Sequence, residues 1–265
     1  MIQIQNLSKS FHKNQVLSSL DLEISQPGVF AVLGPNGSGK TTLIKCILGM
    51  VIPDSGQIRY QGASITNEWK YRAAISYLPQ IARFPENLTV NELLQMIRDI
   101  RDQAARAEEI IHLFGIEPWL NSRLGTLSGG TRQKVNLVLA FMYDNPVIIM
   151  DEPTAGLDPV ALIRLKDLIQ AERQKGKIIL VTTHVMNFVE EMANEIVFLL
   201  DGRIRFRGEL AALKRRCGEP TLERAIAKLL QGECLEAGPA AGKTAAENPD
   251  KGFFQPKTEI PCSRY

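Results

Sequence analysis

A short apolar run, VFAVL at residues 29–33, stops at GPNGSGKTT and resumes in the helix-like LIKCILGM. These pieces read as a buried strand, a tight glycine-rich loop and a helix. From Gly34 to Thr41 the loop fits G-x-x-x-x-G-K-[S/T] where that pattern carries meaning, directly after a strand and opening a helix. Gly34, Pro35, Asn36, Gly37, Ser38 and Gly39 form the turn, in which the glycines let successive N–H groups point inward on an anion. The helix N-terminus adds positive potential, and Lys40 reaches the terminal phosphates. Thr41, followed by Thr42, offers a hydroxyl to Mg²⁺. The feature commits the chain to a strand-to-helix crossover and so to the α/β class.

The flanking sequence is consistent with that class. Residues 15–24 and 56–62 alternate apolar and polar side chains in the period-2 pattern of half-exposed strands, an antiparallel flank before and after the loop. Thr89 to Glu92 form a capping box, and residues 104–114 carry apolar positions at helical spacing, so a helical insert is predicted there. VIIMD at 147–151 and IILVTT at 178–183 are short apolar strands separated by an amphipathic helix that starts at Pro159 and ends at Gly176. That order implies a parallel sheet with right-handed crossovers. Residues 195–208 close the fold as a hairpin with Asp201 and Gly202 in its turn. Beyond about Gln231 the composition turns to Gly, Pro, Ala, Lys and Glu, and a flexible tail is expected over 232–265, with Phe253 and Phe254 inside it.

Adjacent carboxylates, Asp151 and Glu152, stand at the carboxyl end of the 147–151 strand, where open α/β sheets bind ligands. Asp151 suits a Mg²⁺ partner, and Glu152 can orient or deprotonate a water aimed at a γ-phosphate. Composition narrows the alternatives. Thirty-one Lys and Arg against 29 Asp and Glu give +2, too little for the broad basic field of sequence-independent nucleic-acid binding. No apolar stretch approaches the roughly 18 residues of a membrane span, so no direct membrane insertion is expected. Cys46, Cys217, Cys234 and Cys262 never fall at a C-x-x-C spacing, which predicts isolated thiols and neither a metal knuckle nor a redox pair.

Ahead of the acidic strand lies LSGGTRQK at 127–134, in which Ser128, Gly129 and Gly130 open a helix running through Met142 as a second anion-binding N-terminus. With this motif the sequence resembles the ABC ATPases, the nucleotide-binding subunits of ABC transporters, over residues 1 to about 230 and with every motif in order. The resemblance implies a P-loop NTPase (RecA-like) core, an antiparallel β subdomain and a helical subdomain inserted at about 81–145, together spanning 1–231. It implies ATP and Mg²⁺ as ligands, with Gln80 sensing Mg²⁺ and the attacking water, Asp158 in a loop at the nucleotide, and His184 touching the γ-phosphate beside the catalytic Glu152 and Lys40. Phe11 stands where an adenine-stacking aromatic belongs, with a plain core Phe as the rival reading of the residue. The family's signature usually continues with Gln where Thr131 stands.

By the same resemblance, the Ser128 cap of one chain completes the phosphate loop of another, giving a homodimer around two ATP. The resemblance further implies that the dimer works a separate integral-membrane permease from the cytoplasmic face of the inner membrane. The dock is expected around Gln80 to Pro85, where Ile81 and Phe84 read equally as surface or as core. Residues 84–101 and 127–169 look most like exporter-type ATPases, in particular that of the copper-associated exporter linked to nitrous oxide reductase maturation, although no residue here ligates copper by motif. The alternative is a soluble ABC ATPase acting on the ribosome or DNA; such chains usually carry tandem cassettes or a long coiled coil, and neither stands in these 265 residues.

Overall fold

The computed structural model of the chain describes residues 1–101 and 103–234. Two sheets organise it. One is antiparallel, in the order β2(Asn14–Ile24), β1(Ile2–Phe11), β4(Ser55–Tyr60), β5(Ala63–Ser64). The other has six strands, β10(Arg203–Gly208), β9(Glu195–Leu200), β3(Gly28–Leu33), β8(Ile178–Thr182), β7(Val147–Asp151), β6(Ile75–Leu78). All of its neighbouring pairs are parallel except the β9–β10 hairpin, which turns through Asp201 and Gly202, both at positive φ.

The central strands are apolar on both faces because both faces are covered. Phe30, Val32, Ile149 and Leu180 face α1(Lys40–Ile47) and the antiparallel sheet. The alternate residues Val29, Ile148, Met150, Ile179 and Val181 face the helices of the insert and α5(Pro159–Gln174). This period-2 division fixes the register, since a slip of one residue would exchange the two cores. The insert contains α2(Val90–Ile100), α3(Ala107–Phe114) and α4(Gly129–Phe141), and its Ile110, Phe114, Val135 and Phe141 share a core with Leu165 and Ile169 of α5.

Thr89 starts α2 through a reciprocal capping box: its Oγ1 accepts from Glu92 N at 3.2 Å, and Glu92 Oε2 accepts from Thr89 N at 2.8 Å. Thr89→Ala therefore lowers unfolding stability by about 1 kcal/mol. Urea titration checks this, and an unchanged midpoint would refute it.

Two sequence expectations need correction. The β9–β10 hairpin does not close the fold: α7(Leu210–Cys217) and α8(Leu222–Gln231) follow and cover a third core of Leu33, Ile196, Phe198 and Phe206. The cysteines are also not all isolated thiols, because Cys217 and Cys234 form a disulfide. The chain reverses at Gly232, φ 75°, and brings Cys234 back to the end of α7, a proximity that a separation of 17 residues conceals. Cys46 is a buried free thiol, pushed up to about 11 by burial. The expected tail, with Phe253, Phe254 and Cys262, lies from residue 235 onward outside the described residues.

Candidate nucleotide site

The site forms at the carboxyl ends of four parallel strands. After β3 the loop turns through Gly34 and enters α1 at Gly39, and both positions exclude a side chain. A Cβ on Gly34 would lie 2.1 Å from the Leu199 carbonyl oxygen. At Gly39, φ 104°, one would meet the Val16 carbonyl at 2.8 Å. After β7 come Asp151 and Glu152; Gln80 lies two residues beyond β6, and His184 two beyond β8. Asn36, Lys40, Thr41, Gln80, Asp151 and Glu152 line one cavity of about 270 Å³, with Gly37, Gly39 and Thr42 at its loop wall.

Within this cavity Lys40 Nζ donates to the carbonyls of Gly34 at 2.8 Å and Pro35 at 3.0 Å. Burial holds its pKa below the ordinary lysine range, with the charges of Glu152 and Asp151 opposing. Thr41 Oγ1 donates to Asp151 Oδ2 at 3.2 Å, and Thr182 Oγ1 donates to Asp151 Oδ1. These are hard oxygen donors of the kind Mg²⁺ takes. Among the described residues no group of three His, Cys, Asp or Glu side chains could hold a metal alone, so the cation's remaining oxygens would come from phosphate and water.

Glu152 is 8 % exposed and carries a left-handed backbone, φ 52°, that costs a non-glycine residue of order 1–3 kcal/mol. Its N–H donates to the Thr182 carbonyl at 2.9 Å, which supports the strained turn. Its Oε2 lies 2.9 Å from His184 Nδ1, within ion-pair distance, and this buried oxygen has no hydrogen-bond partner. Ser38, 3 % exposed, likewise has an Oγ without a partner.

The remaining sequence candidates lie outside the cavity. Phe11 ends β1, 44 % exposed with Lys9 Nζ 5.4 Å from its ring centre, which removes the core reading. Ser128 caps α4, its Oγ accepting from Thr131 N at 3.2 Å and sharing a 2.8 Å hydrogen bond with Thr131 Oγ1. The departure at Thr131 thus gives Ser128 a hydroxyl neighbour. Gly129 and Gly130 follow, and a Cβ on Gly130 would lie 2.8 Å from the Gly156 carbonyl. Asp158 caps α5 by accepting from Ala161 N at 2.8 Å, and pairs with Lys134 Nζ at 2.6 Å. Phe84 packs against the core, whereas Ile81 is 70 % exposed.

The sequence reading did not identify Thr182, Gln133 or Asn136. Thr182 stands out only as a polar end to an apolar strand, and the other two only as amides on the buried side of α4.

A glycine loop with its lysine, facing an aspartate–glutamate pair across the edge of a parallel sheet, defines a phosphate-loop nucleotide-binding protein. The ABC transporter family profile matches residues 17–155. The ABC transporter ATP-binding protein YxlF of Bacillus subtilis, itself uncharacterised, is 28 % identical over 96 % of this chain and 86 % of its own length. The Nod factor export ATP-binding protein I of Paraburkholderia xenovorans is 33 % identical over 80 % of this chain and 72 % of its own. A solved ATP-binding subunit of an ABC transporter superposes with a TM-score of 0.81 at 29 % identity, covering 87 % of this chain and 99 % of that one. The chain belongs to the ABC transporter family as an ATP-binding subunit.

Proposed function

We propose that this subunit hydrolyses ATP with Mg²⁺ as a homodimer and uses the cycle to drive a separate integral-membrane permease in export. The observation that carries the reading is the convergence of Lys40, Thr41, Gln80, Asp151 and Glu152 on one cavity while the Ser128 cap lies outside it. A triphosphate enters with its β- and γ-phosphates against the loop, and Lys40 exchanges its carbonyl partners for phosphate oxygens. Thr41 and Asp151 would hold Mg²⁺, which supplies charge neutralisation at the phosphates. Glu152 takes a proton from the attacking water through its unpartnered oxygen. The water oxygen bonds to the γ-phosphorus, the bond to the β–γ bridging oxygen breaks, and ADP and phosphate result. Gln80, on the same cavity, would contact the cation and the water, and His184, 2.9 Å from Glu152, would link that residue to the γ-phosphate.

The remaining donors come from a second copy, whose Ser128, Gly129 and Gly130 present a helix N-terminus to the γ-phosphate. Asp158, with Gly156 against Gly130, lies at that junction, and Phe11 stacks on the adenine from its exposed position. ATP joins the two copies and its hydrolysis releases them.

The permease seats next to Gln80, where Ile81 is exposed; a groove of about 280 Å³ between α1, β6 and the insert, lined by Met50, Arg72, Tyr77, Ile97, Arg101 and Tyr143, extends the candidate surface. No helix among the described residues is long and apolar enough to cross a membrane. Through the permease, the subunit attaches peripherally to the cytoplasmic face of the inner membrane. The export direction draws on the Nod factor export relative. The wording of residues 84–101 and 127–169 points to a copper-associated exporter, with the cargo path in the permease.

Phosphate release from the purified chain tests the chemistry: it requires Mg²⁺ and stops with excess EDTA. Affinity capture from detergent-solubilised membranes tests the coupling. Recovery of a multi-span protein supports it, and recovery of ribosomes or DNA favours the soluble alternative.

A further inference from the structure

Two buried amides on α4 have no part in the chemistry above. Gln133 and Asn136 lie one turn apart, 8 % and 3 % exposed. Gln133 Nε2 donates to the Pro153 carbonyl at 3.2 Å. Asn136 Nδ2 donates to the Pro79 carbonyl at 3.1 Å and to Gln133 Oε1 at 3.4 Å. Pro79 immediately precedes Gln80, and Pro153 immediately follows Glu152.

These attachment points have a physical logic. β6 stops at Leu78 and β7 at Asp151, so both prolines lie where the strand ladder no longer fixes the backbone. Proline has no N–H, so its carbonyl is the one backbone group each can offer to a side-chain partner. An amide pair can bridge two such carbonyls, because Asn136 donates, Gln133 accepts from it and donates onward, and no charge has to be desolvated. The three hydrogen bonds run unbroken from Pro79 to Pro153, and the helix that carries them begins at Ser128.

We infer that Gln133 and Asn136 are positioning residues, a strap that sets Gln80 against Glu152 and ties both to the Ser128 cap. When the cap engages nucleotide on a second copy, displacement of α4 then reaches both catalytic side chains of its own chain. The roles of Gln80 and Glu152 rest on the ATPase reading, but the strap is a property of the single chain and is tested without it.

Two substitutions remove the donor while keeping the size. Asn136→Leu is apolar, and Asn136→Asp keeps the shape but turns an acceptor toward the Pro79 carbonyl. Arg83, exposed and three residues beyond Gln80, gives trypsin a cleavage point in the strapped loop. Both variants lose the two hydrogen bonds from Asn136 Nδ2, and loss of the one to the Pro79 carbonyl predicts about a tenfold faster nick at Arg83, with other sites cut at the wild-type rate. Nicking at Arg83 unchanged in both variants, or raised equally at every site, overturns the strap. In steady-state assays kcat falls about tenfold while KM for ATP stays within about threefold. Adding Asn136→Leu to Gln80→Ala then costs little beyond Gln80→Ala alone, the non-additivity of a residue that acts through another. Full additivity overturns the positioning role. A wild-type chain that releases no phosphate refutes the ATPase reading, while the trypsin comparison still decides the strap.

Discussion

Glu152→Gln lowers ATP turnover by about 10²–10³-fold and leaves the ATP dissociation constant within about threefold. The size of the loss is that of removing a positioned general base. The substitution keeps the volume, so the turn at φ 52° and its hydrogen bond from residue 152 N–H to the Thr182 carbonyl persist. What disappears is the basic oxygen, which is buried beside His184 and carries no hydrogen bond. In the proposed mechanism binding rests on other atoms, Lys40 and the loop, and is spared. The separation shows in kcat against a directly measured ATP affinity. A turnover within threefold of wild type would remove Glu152 from the mechanism.

The second large effect concerns stability. Glu172 on α5 is fully buried and paired with three cations: Arg106 at 2.7 Å, Lys175 at 2.9 Å, and Lys177, which also reaches Asp144. Arg106 precedes α3 and its Nε donates to the Phe141 carbonyl at 3.1 Å, so the cluster ties the insert to the sheet. Glu172→Gln leaves Lys177, itself almost fully buried, and Arg106 short of their counter-charge, and unfolding stability at pH 7 falls by about 3–5 kcal/mol. Against a typical total of about 5–15 kcal/mol this is a substantial fraction.

Acid should erase the difference. Burial pushes the Glu172 pKa up, but hydrogen bonds from Lys177, Lys175 and Arg106 outweigh burial and hold it below 4.5. A carboxyl with a depressed folded pKa stabilises the fold above its unfolded value, and that contribution is lost as the pH falls through the folded value. The gap between wild type and Glu172→Gln is therefore full at pH 7 and narrows below pH 4.5. Urea titrations at neutral and acid pH measure it, and a constant gap would contradict the assignment.

Much of this molecule was legible in the sequence where the deciding residues are contiguous. The phosphate loop, the Asp151–Glu152 pair and the helix after Pro159 each carry their meaning within one contiguous stretch of sequence. The central strands were readable because they are apolar on both faces, and the β9–β10 hairpin because Asp201-Gly202 supplies two positive φ values. By contrast, β1 mixes polar residues with bulges, and β6 has only four residues, too few for a periodic signal. Packing across the chain settles what local pattern left open: Phe84 goes to the core and Ile81 to the surface. The disulfide, the Thr182 support and the α4 strap depend on partners 17 to 57 residues distant, beyond any spacing rule.

The central claim, that two copies enclose the triphosphate between the Lys40 loop of one and the Ser128 cap of the other, is tested most directly by light scattering on Glu152→Gln with saturating ATP and Mg²⁺. The prediction is a particle of twice the chain mass that reverts to a single chain when Ser128→Arg is added or ATP is withdrawn. A single-chain mass with ATP demonstrably bound would contradict it.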